Sequence, residues 1–466
     1  MGTRTFGGIG SPSQAARLEA LEGRVMMAGD PVLEWNNMVL DSITALGPGG
    51  PATGRPLAIV HVAINDAVNA IAHDGYRGYL YNHPAPRITS VEAAVAQAGH
   101  DTLVALYPTR AAIYDAKLAE DLAAVPDGKG EDFGVALGKL TARLVLDNRA
   151  NDHSGDVVTY TPKSGPGYWQ PTPPAFAPAL LPQWPTVTPF ALQSASQFRP
   201  VPPPALASAE YTAAFNEVKT IGAQNSTTRT AEQTQIAFFW LDGGGTASAA
   251  GHWNRIAQQV SAAHGLDVAQ EARLFALLNM AELDASVACW DGKFTYELWR
   301  PITAIRAADT DGNPDTAADT AWTPLVATPA HPSYASGHST VSSAAATVLA
   351  RFFGTDDVSF TSAQQNNPAI VRSYSGFRQA AEEAGMSRIY GGFHWQFDNQ
   401  AGQKCGRQVG NYVVDHELTS RRDDRDDQLP GRGGDDHDGE GDRVCDAVTG
   451  TVHGRSILGT SNAILA

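Results

Sequence analysis

Apolar residues recur at three- to four-residue intervals through most of the chain, the spacing of one face of an α-helix. The pattern is clearest over 31–46, 55–73, 91–107, 134–150, 246–265 and 271–290. Alternating patterns rich in β-branched residues, which would indicate strands, are scarce. We therefore predict an all-α fold in which the helices pack as one large bundle domain.

The helical pattern stops over residues 158–205, where prolines are too frequent for regular helix. A loop of this length inside a folded domain is usually functional or disordered. Its aromatic residues Trp169, Phe176, Trp184 and Phe190 predict that it packs onto the bundle.

The composition indicates the class of protein and excludes some functions. The 466 residues are 43% hydrophobic and 18% charged, typical of a globular protein. No stretch approaches the roughly 20 apolar residues of a membrane span. The net charge of -16 argues against a nucleic-acid partner, since such proteins neutralise phosphates with Lys and Arg.

The chain is predicted to contain a catalytic domain, 31–420, between two poorly ordered ends. Residues 421–466 begin with an acidic, Gly-rich stretch, which predicts disorder. Residues 1–30 contain "RLEALEGRVMMA", which resembles a short leader of some exported bacterial proteins. Export is our expectation, and a frayed helix start is the open alternative.

Three segments of the second half carry candidate chemistry. The first, "CWDGKFTYELWRPITAIR", places Lys293 and Arg300 seven residues apart, which predicts two cations on one helix face. Cations that face inward need an anion, because burying an unpaired charge is costly. Considered alone, the pair is more typical of long side chains that reach solvent.

The second segment is "TPAHPSYASGHSTVSSAAATVLARFF", residues 328–353. Ser336 and Gly337 stand at the predicted start of a helix that runs to about Phe353. Helix N-termini offer free backbone N–H groups and the positive end of a dipole, which together attract anions. Ser336 adds a hydroxyl, and His338 can transfer a proton near neutral pH. A capping serine by itself is common.

The third segment, "GMSRIYGGFHWQFDNQAG", places Arg388 and His394 six residues apart across a Gly-Gly break. Arginine presents a planar fork suited to oxyanions, and histidine a ring nitrogen for covalent or coordinate attachment. A buried core histidine is the alternative for His394 taken alone.

The three segments together, K-x6-R-P, S-G-H and S-R-x5-H, resemble the vanadium-dependent haloperoxidases and their relatives, the type 2 phosphatidic acid phosphatases and bacterial acid phosphatases. The resemblance implies the helical-bundle fold of that family and a vanadate cofactor. His394 would be the axial ligand of the metal, and His338 the acid–base residue. The equatorial oxygens would be bound by Lys293, Arg300, Ser336, Gly337 and Arg388.

Both classes need the same oxyanion site, because vanadate and a transferring phosphoryl group share five-coordinate geometry. In a phosphatase His394 would attack phosphorus. In a haloperoxidase Lys293 would polarise hydrogen peroxide, and a halide and possible organic molecule would be the other substrates. "HPSYASGH" resembles the haloperoxidase form, with Ala335 where proline is usual, and favours the peroxidase. His331 matches the histidine of bromoperoxidases, which implies bromide or iodide.

Further matches imply a halide pocket of His331, Trp290 and Trp240. The resemblance also implies that Asp242 hydrogen-bonds His338 and raises its basicity, as carboxylates do behind other histidines. Simple core packing is the alternative for the two tryptophans.

Two other classes of protein compete with the enzyme. "DTDGNPDTAADT", 309–320, has acidic residues at alternate positions, as a calcium loop does, but Thr320 stands where an EF-hand needs glutamate. A turn rich in Asp and Gly is the preferred interpretation. A helical protein that has lost its chemistry is disfavoured, because every signature position is filled. The sequence leaves the oligomeric state open.

Overall fold

The computed structural model describes residues 30–47, 49–73 and 75–421. The predicted leader and acidic tail lie outside these residues, except for Asp30 and Arg421 at their inner ends. Within them the helices are α1 (Pro31–Leu46), α2 (Gly54–Ala72), α3 (Val91–Leu106), α4 (Ala111–Ala123), α5 (Lys129–Arg149), α6 (Ala209–Ile221), α7 (Ala231–Phe239), α8 (Ser248–His264), α9 (Val268–Tyr296), α10 (Pro301–Arg306), α11 (Gly337–Phe353), α12 (Phe377–Tyr390) and α13 (Gln396–His416). The all-α prediction is confirmed. None of these helices combines the length and the apolar character that crossing a membrane requires.

Helix α9 forms the centre of the bundle and packs against α2, α11 and α13. It is buried on nearly every side, as expected of a helix that is apolar around most of its circumference. A capping box fixes its start: Asp267 and Gln270 each accept a hydrogen bond from the other's backbone N–H.

Helices α11 and α13 run parallel and in close contact. A Cβ atom at Gly402 would lie 2.8 Å from the carbonyl oxygen of Ser336, and one at Gly406 would lie 2.1 Å from that of Thr340. Only glycine permits so close an approach. The start of α11 therefore lies beside the first half of α13, where the backbone N–H of Ser336 also donates to the carbonyl oxygen of Asp398 at 3.1 Å, and this brings the second and third signature segments together.

The proline-rich stretch has no α-helix and packs on the bundle as predicted, with one exception. The carboxylate of Asp284 accepts hydrogen bonds from three consecutive amides, those of Phe190 (2.7 Å), Ala191 (2.8 Å) and Leu192 (2.9 Å). Trp169 and Trp184 are also buried. Phe176 is 63% exposed and does not contribute to this packing.

A two-stranded antiparallel hairpin, β1 (Phe360–Gln364) and β2 (Asn367–Tyr374), was not predicted. Its strands are short, and an isolated hairpin is marginal in water, so local pattern is a weak signal for it. It is held to the bundle because Phe360 and Tyr374 are buried and Arg372 pairs with Glu383 of α12.

The segment 309–320 forms turns closed by its own side chains. Asp311 accepts from the backbone N–H of Asn313 (2.8 Å) and from the hydroxyl of Thr316 (2.8 Å). Asn313 in turn accepts from the backbone N–H of Asp315 (3.0 Å). The turn interpretation is confirmed.

Candidate active site

A mainly apolar cavity of about 390 Å³ opens beside the first turn of α11. Its walls include Trp290, His331, Gly337, His338, Arg388 and His394, so residues from all three signature segments meet there. Lys293, Arg300 and Ser336 are fully buried directly behind this wall.

Lys293 and Arg300 do not share a helix face, and that prediction is wrong. Helix α9 ends at Tyr296, and Glu297 caps it in the left-handed conformation with φ of 51°. Arg300 then occupies the N-cap of α10, where Pro301 disfavours a helical conformation at the preceding residue. The two cations still converge, because both reach the backbone of residues 331–335.

The ammonium of Lys293 is held by three backbone carbonyls. Its Nζ donates to Pro332 (3.0 Å), Ser333 (2.8 Å) and Ala335. It also lies 5.4 Å from the centre of the Trp290 ring. Burial lowers the pKa of Lys293 to about 8. The residue is thus fixed at the edge of the cavity with its charge balanced by carbonyl dipoles.

Arg300 connects two histidines of the cavity wall. Its Nη2 donates to Nδ1 of His331 (2.9 Å), and its Nη1 donates to Nε2 of His394 (3.1 Å). Two carbonyls, those of His331 and Phe393, accept its remaining hydrogen bonds. Burial lowers the pKa of Arg300 to about 9, so it is still a cation at neutral pH.

His394 has one defined tautomer. Its Nδ1 donates to Oδ2 of Asp398 at 2.7 Å, and burial lowers the pKa of the imidazole well below its usual value. The lone pair is therefore on Nε2, the nitrogen toward Arg300. Nε2 of His394 is thus the nitrogen that could hold a metal. Asp398 was missed from the sequence, although its position four residues after His394, in the first turn of α13, was a usable signal.

Ser336 acts in this structure as the N-cap of α11. Its Oγ accepts from the backbone N–H (3.3 Å) and hydroxyl (2.8 Å) of Ser339. Gly337 and His338, in the first turn, line the cavity. A Cβ atom at Gly337 would lie 3.3 Å from the Trp290 ring, so a larger residue would crowd this wall.

Arg388 contacts His338, the predicted acid–base residue. Its Nη1 donates to Nε2 of His338 (3.1 Å), and its Nη2 donates to the carbonyl oxygen of Trp240. Burial and, after it, the Arg388 cation lower the pKa of His338 to about 3. Burial lowers the pKa of Arg388 to about 10.

Asp242 does not hydrogen-bond His338, and this detail of the expectation is wrong. The two side chains are 3.9 Å apart, whereas Asp242 accepts from Nδ1 of His252 at 3.0 Å and from the amide of Gln365 at 2.6 Å. Burial raises the pKa of Asp242, but these partners, His252 first, offset it and hold the pKa below its usual value. His252 was missed because it lies within the ordinary helical pattern of α8 and carries no local sequence signal.

The two tryptophans of the predicted halide pocket lie in different environments. Trp290 lines the cavity, with its ring 4.8 Å from that of His331. Trp240 is fully buried, does not line the cavity, and stacks on His252 at 4.5 Å. Its assignment to the pocket is wrong, because the residue contributes its carbonyl oxygen to Arg388 while its ring packs in the core.

The chain is similar to known vanadium-dependent haloperoxidases. A family model described as the VCPO second helical-bundle domain matches residues 273–422. Vanadium chloroperoxidase of Curvularia inaequalis is 26% identical, with 79% of each chain covered.

Solved structures extend the likeness to most of the chain. The first bacterial vanadium-dependent iodoperoxidase is 30% identical with a TM-score of 0.73, over 84% of this chain and 97% of that one. A holo-type bacterial vanadium-dependent chloroperoxidase, 18% identical, has a TM-score of 0.64 over 80% and 93% of the two chains, and supports the fold alone.

Proposed function

This chain belongs to the vanadium-dependent haloperoxidase family, and on that premise we propose that it oxidises bromide or iodide with hydrogen peroxide to the hypohalous acid. Its cofactor is vanadate. The observation that carries the proposal is the Nε2 lone pair of His394, fixed by Asp398 and facing Arg300 beside a cavity lined by Arg388 and His338.

The residues fit a bound oxyanion. Arg300, Arg388 and Lys293 supply three buried cations, and the first turn of α11 supplies backbone N–H groups without helical partners. His394 would hold the metal through Nε2. When bound, vanadate supplies Lewis acidity, which makes hydrogen peroxide more reactive toward the halide.

The protein's own groups orient the reactants and move the proton. The net reaction, H2O2 + X⁻ + H⁺ → HOX + H2O, consumes one proton. Nε2 of His338, next to Arg388 at the cavity wall, is the atom that takes this proton up and passes it on. Asp242, 3.9 Å away, favours the charged imidazolium after proton uptake.

Bromide or iodide is preferred in this proposal because of His331. The side chain lines the cavity, accepts from Arg300 and lies against Trp290. The iodoperoxidase among the similar structures supports the same halide class.

The first test is a halogenation assay on metal-free protein with chloride, bromide or iodide, with and without orthovanadate. Hydrolysis of a phosphate ester is measured on the same sample. We expect vanadate-dependent oxidation of iodide and bromide that exceeds that of chloride. Hydrolysis without vanadate, inhibited when vanadate is added, would instead make His394 a phosphoryl acceptor.

Two substitutions separate binding from turnover. His394→Ala should abolish vanadate retention, since the nitrogen that would hold the metal is removed. His338→Ala should reduce turnover by at least a hundredfold while vanadate affinity changes far less, because its role is proton transfer. Equal losses of binding and turnover in His338→Ala would contradict this division of roles.

A further inference from the structure

Glu282 is an acidic residue of the cavity wall that the proposed chemistry does not use. It lies in α9 and is 1% exposed. Its Oε2 accepts from Nδ2 of Asn254 at 3.2 Å, and Oε1 has no hydrogen-bond partner among the described residues. A buried polar atom without a partner destabilises the protein, so this oxygen can stabilise a ligand that provides a partner.

Glu282 lies far from the oxyanion end of the cavity. Glu282, Ser286 and Trp290 follow one another at four-residue intervals on one face of α9, and all three line the cavity. With a rise of 1.5 Å per residue, Glu282 is roughly 12 Å along the helix axis from Trp290. The cavity therefore extends along α9, with Glu282 toward one end and the signature histidines near the other.

The space between the two ends is larger than the inorganic substrates need. A water molecule occupies roughly 30 Å³ of liquid, and hydrogen peroxide and a halide are of similar size, so the cavity of about 390 Å³ has room for a further molecule. Pockets that bind organic ligands start at about 300 Å³. Leu241, Ala249, Ala250 and Val341 make much of the wall apolar.

The charge of Glu282 restricts the type of ligand. Burial raises the pKa of Glu282 well above its usual value, which favours the uncharged carboxylic acid. An uncharged acid both donates and accepts, so it matches a hydroxyl group.

We propose that this cavity binds an uncharged phenol-type aromatic molecule, with its hydroxyl at Glu282 and its ring directed toward Trp290, and that this molecule accepts the halogen. The proposal rests on the haloperoxidase function proposed above. The balanced reaction is Ar–H + X⁻ + H2O2 + H⁺ → Ar–X + 2 H2O. The halide loses two electrons to the O–O bond, a C–X bond replaces a C–H bond, and the released ring proton offsets one of the two that water formation consumes.

Binding is tested without cofactor or turnover. Isothermal titration calorimetry on metal-free protein compares meta-ethylphenol with meta-ethyltoluene, which can neither donate nor accept a hydrogen bond. We expect the wild-type chain to prefer the phenol by about tenfold, the size of one hydrogen bond to a buried group. Equal affinities, or no binding of the phenol, would overturn the proposal without any variant.

Substitutions locate the hydroxyl subsite. Glu282→Gln keeps a donor and an acceptor and should retain phenol affinity within about threefold, whereas Glu282→Leu should lose about tenfold in phenol affinity and should not weaken the binding of meta-ethyltoluene. Glu271→Leu is the matched control, because Glu271 is buried in the same helix but does not line the cavity. An equal loss in Glu271→Leu would contradict a local contact.

Product analysis tests the halogenation step. With vanadate, bromide and peroxide, the ratio of ring-brominated isomers from meta-ethylphenol should differ from that given by free hypobromite, and Glu282→Leu should shift it toward the free ratio. Identical ratios for wild type and hypobromite would overturn halogenation inside the cavity. Vanadate binding and iodide oxidation, measured separately, report failure of the proposed function itself.

Discussion

Removal of the Asp398 carboxylate should weaken vanadate binding, because this carboxylate determines which nitrogen of His394 carries the proton. Three donors converge on Oδ2 of Asp398: Nδ1 of His394 at 2.7 Å, the hydroxyl of Ser333, and the backbone N–H of Trp395 at 3.3 Å. Oδ1 has no partner among the described residues. Among the described residues, Asp398 therefore makes its side-chain hydrogen bonds through Oδ2.

The two substitutions at this position differ in what they remove. In Asp398→Asn the amide oxygen should take the Oδ2 position, since an NH2 group there would face three donors. His394 then keeps its tautomer and loses only the charge-assisted part of the bond, about 1 kcal/mol or roughly fivefold in affinity. Asp398→Ala removes the acceptor, so the imidazole can change tautomer and rotate, for a loss of about 10- to 100-fold.

The assay is calorimetric titration of metal-free protein with orthovanadate, with thermal unfolding as a check on folding. Ser333→Ala is the matched control, because it removes a second donor to the same oxygen and leaves the His394 bond in place. We expect it to change vanadate affinity less than threefold. Wild-type affinity in Asp398→Ala, or a larger loss in Asp398→Asn than in Asp398→Ala, would refute the tautomer argument.

Three further predictions address the support of the site and the fold. His252→Phe removes the donor that offsets the effect of burial on the pKa of Asp242. The pH–rate profile should therefore change, and kcat should fall several-fold while vanadate affinity stays the same. An unchanged profile would exclude this positioning role. Trp290→Phe should raise the KM for halide, whereas Trp240→Phe should lower the melting temperature and leave the KM unchanged, a difference that steady-state kinetics and calorimetry measure. Burial raises the pKa of Asp284 to about 6, so folding favours its protonated form, and its contribution to stability is largest below pH 4 and is lost as pH rises to about 6. Urea unfolding should show the stability of wild type, relative to Asp284→Asn, falling by about 3 kcal/mol over that range, and a flat difference would contradict the raised pKa.

The sequence predicted the fold class and the main site residues because both depend on side-chain identity. Helical periodicity located the bundle, and the capping position of Ser336 located the start of α11. The hairpin at 360–374 was missed because its burial depends on tertiary contacts with α12. The break between Lys293 and Arg300 was also missed, although Pro301 indicates a helix boundary at the preceding residue.

His252 and Glu282 show a second limit of sequence reasoning. Each sits within a helix of ordinary pattern, and each acquires its chemistry from residues outside that helix. His252 meets Asp242 through the loop that precedes α8, and also hydrogen-bonds Ser362 of the hairpin at 2.8 Å. Glu282 lines the cavity only because α8 and α11 enclose the other walls. The spacing of residues within one segment does not reveal contacts of this kind between segments.

The stability of the cationic site comes from groups that no sequence motif displays. Lys293 donates to three carbonyls, Arg300 to two and Arg388 to one, all from loops or helix ends around the cavity. Buried cations are costly without partners, and these dipoles supply partners that carry no net charge. A carboxylate in their place would cancel the positive potential that attracts an oxyanion. Backbone carbonyls stabilise the cations and leave that potential in place, and because every residue type has a carbonyl, the positions that provide them are invisible in the sequence.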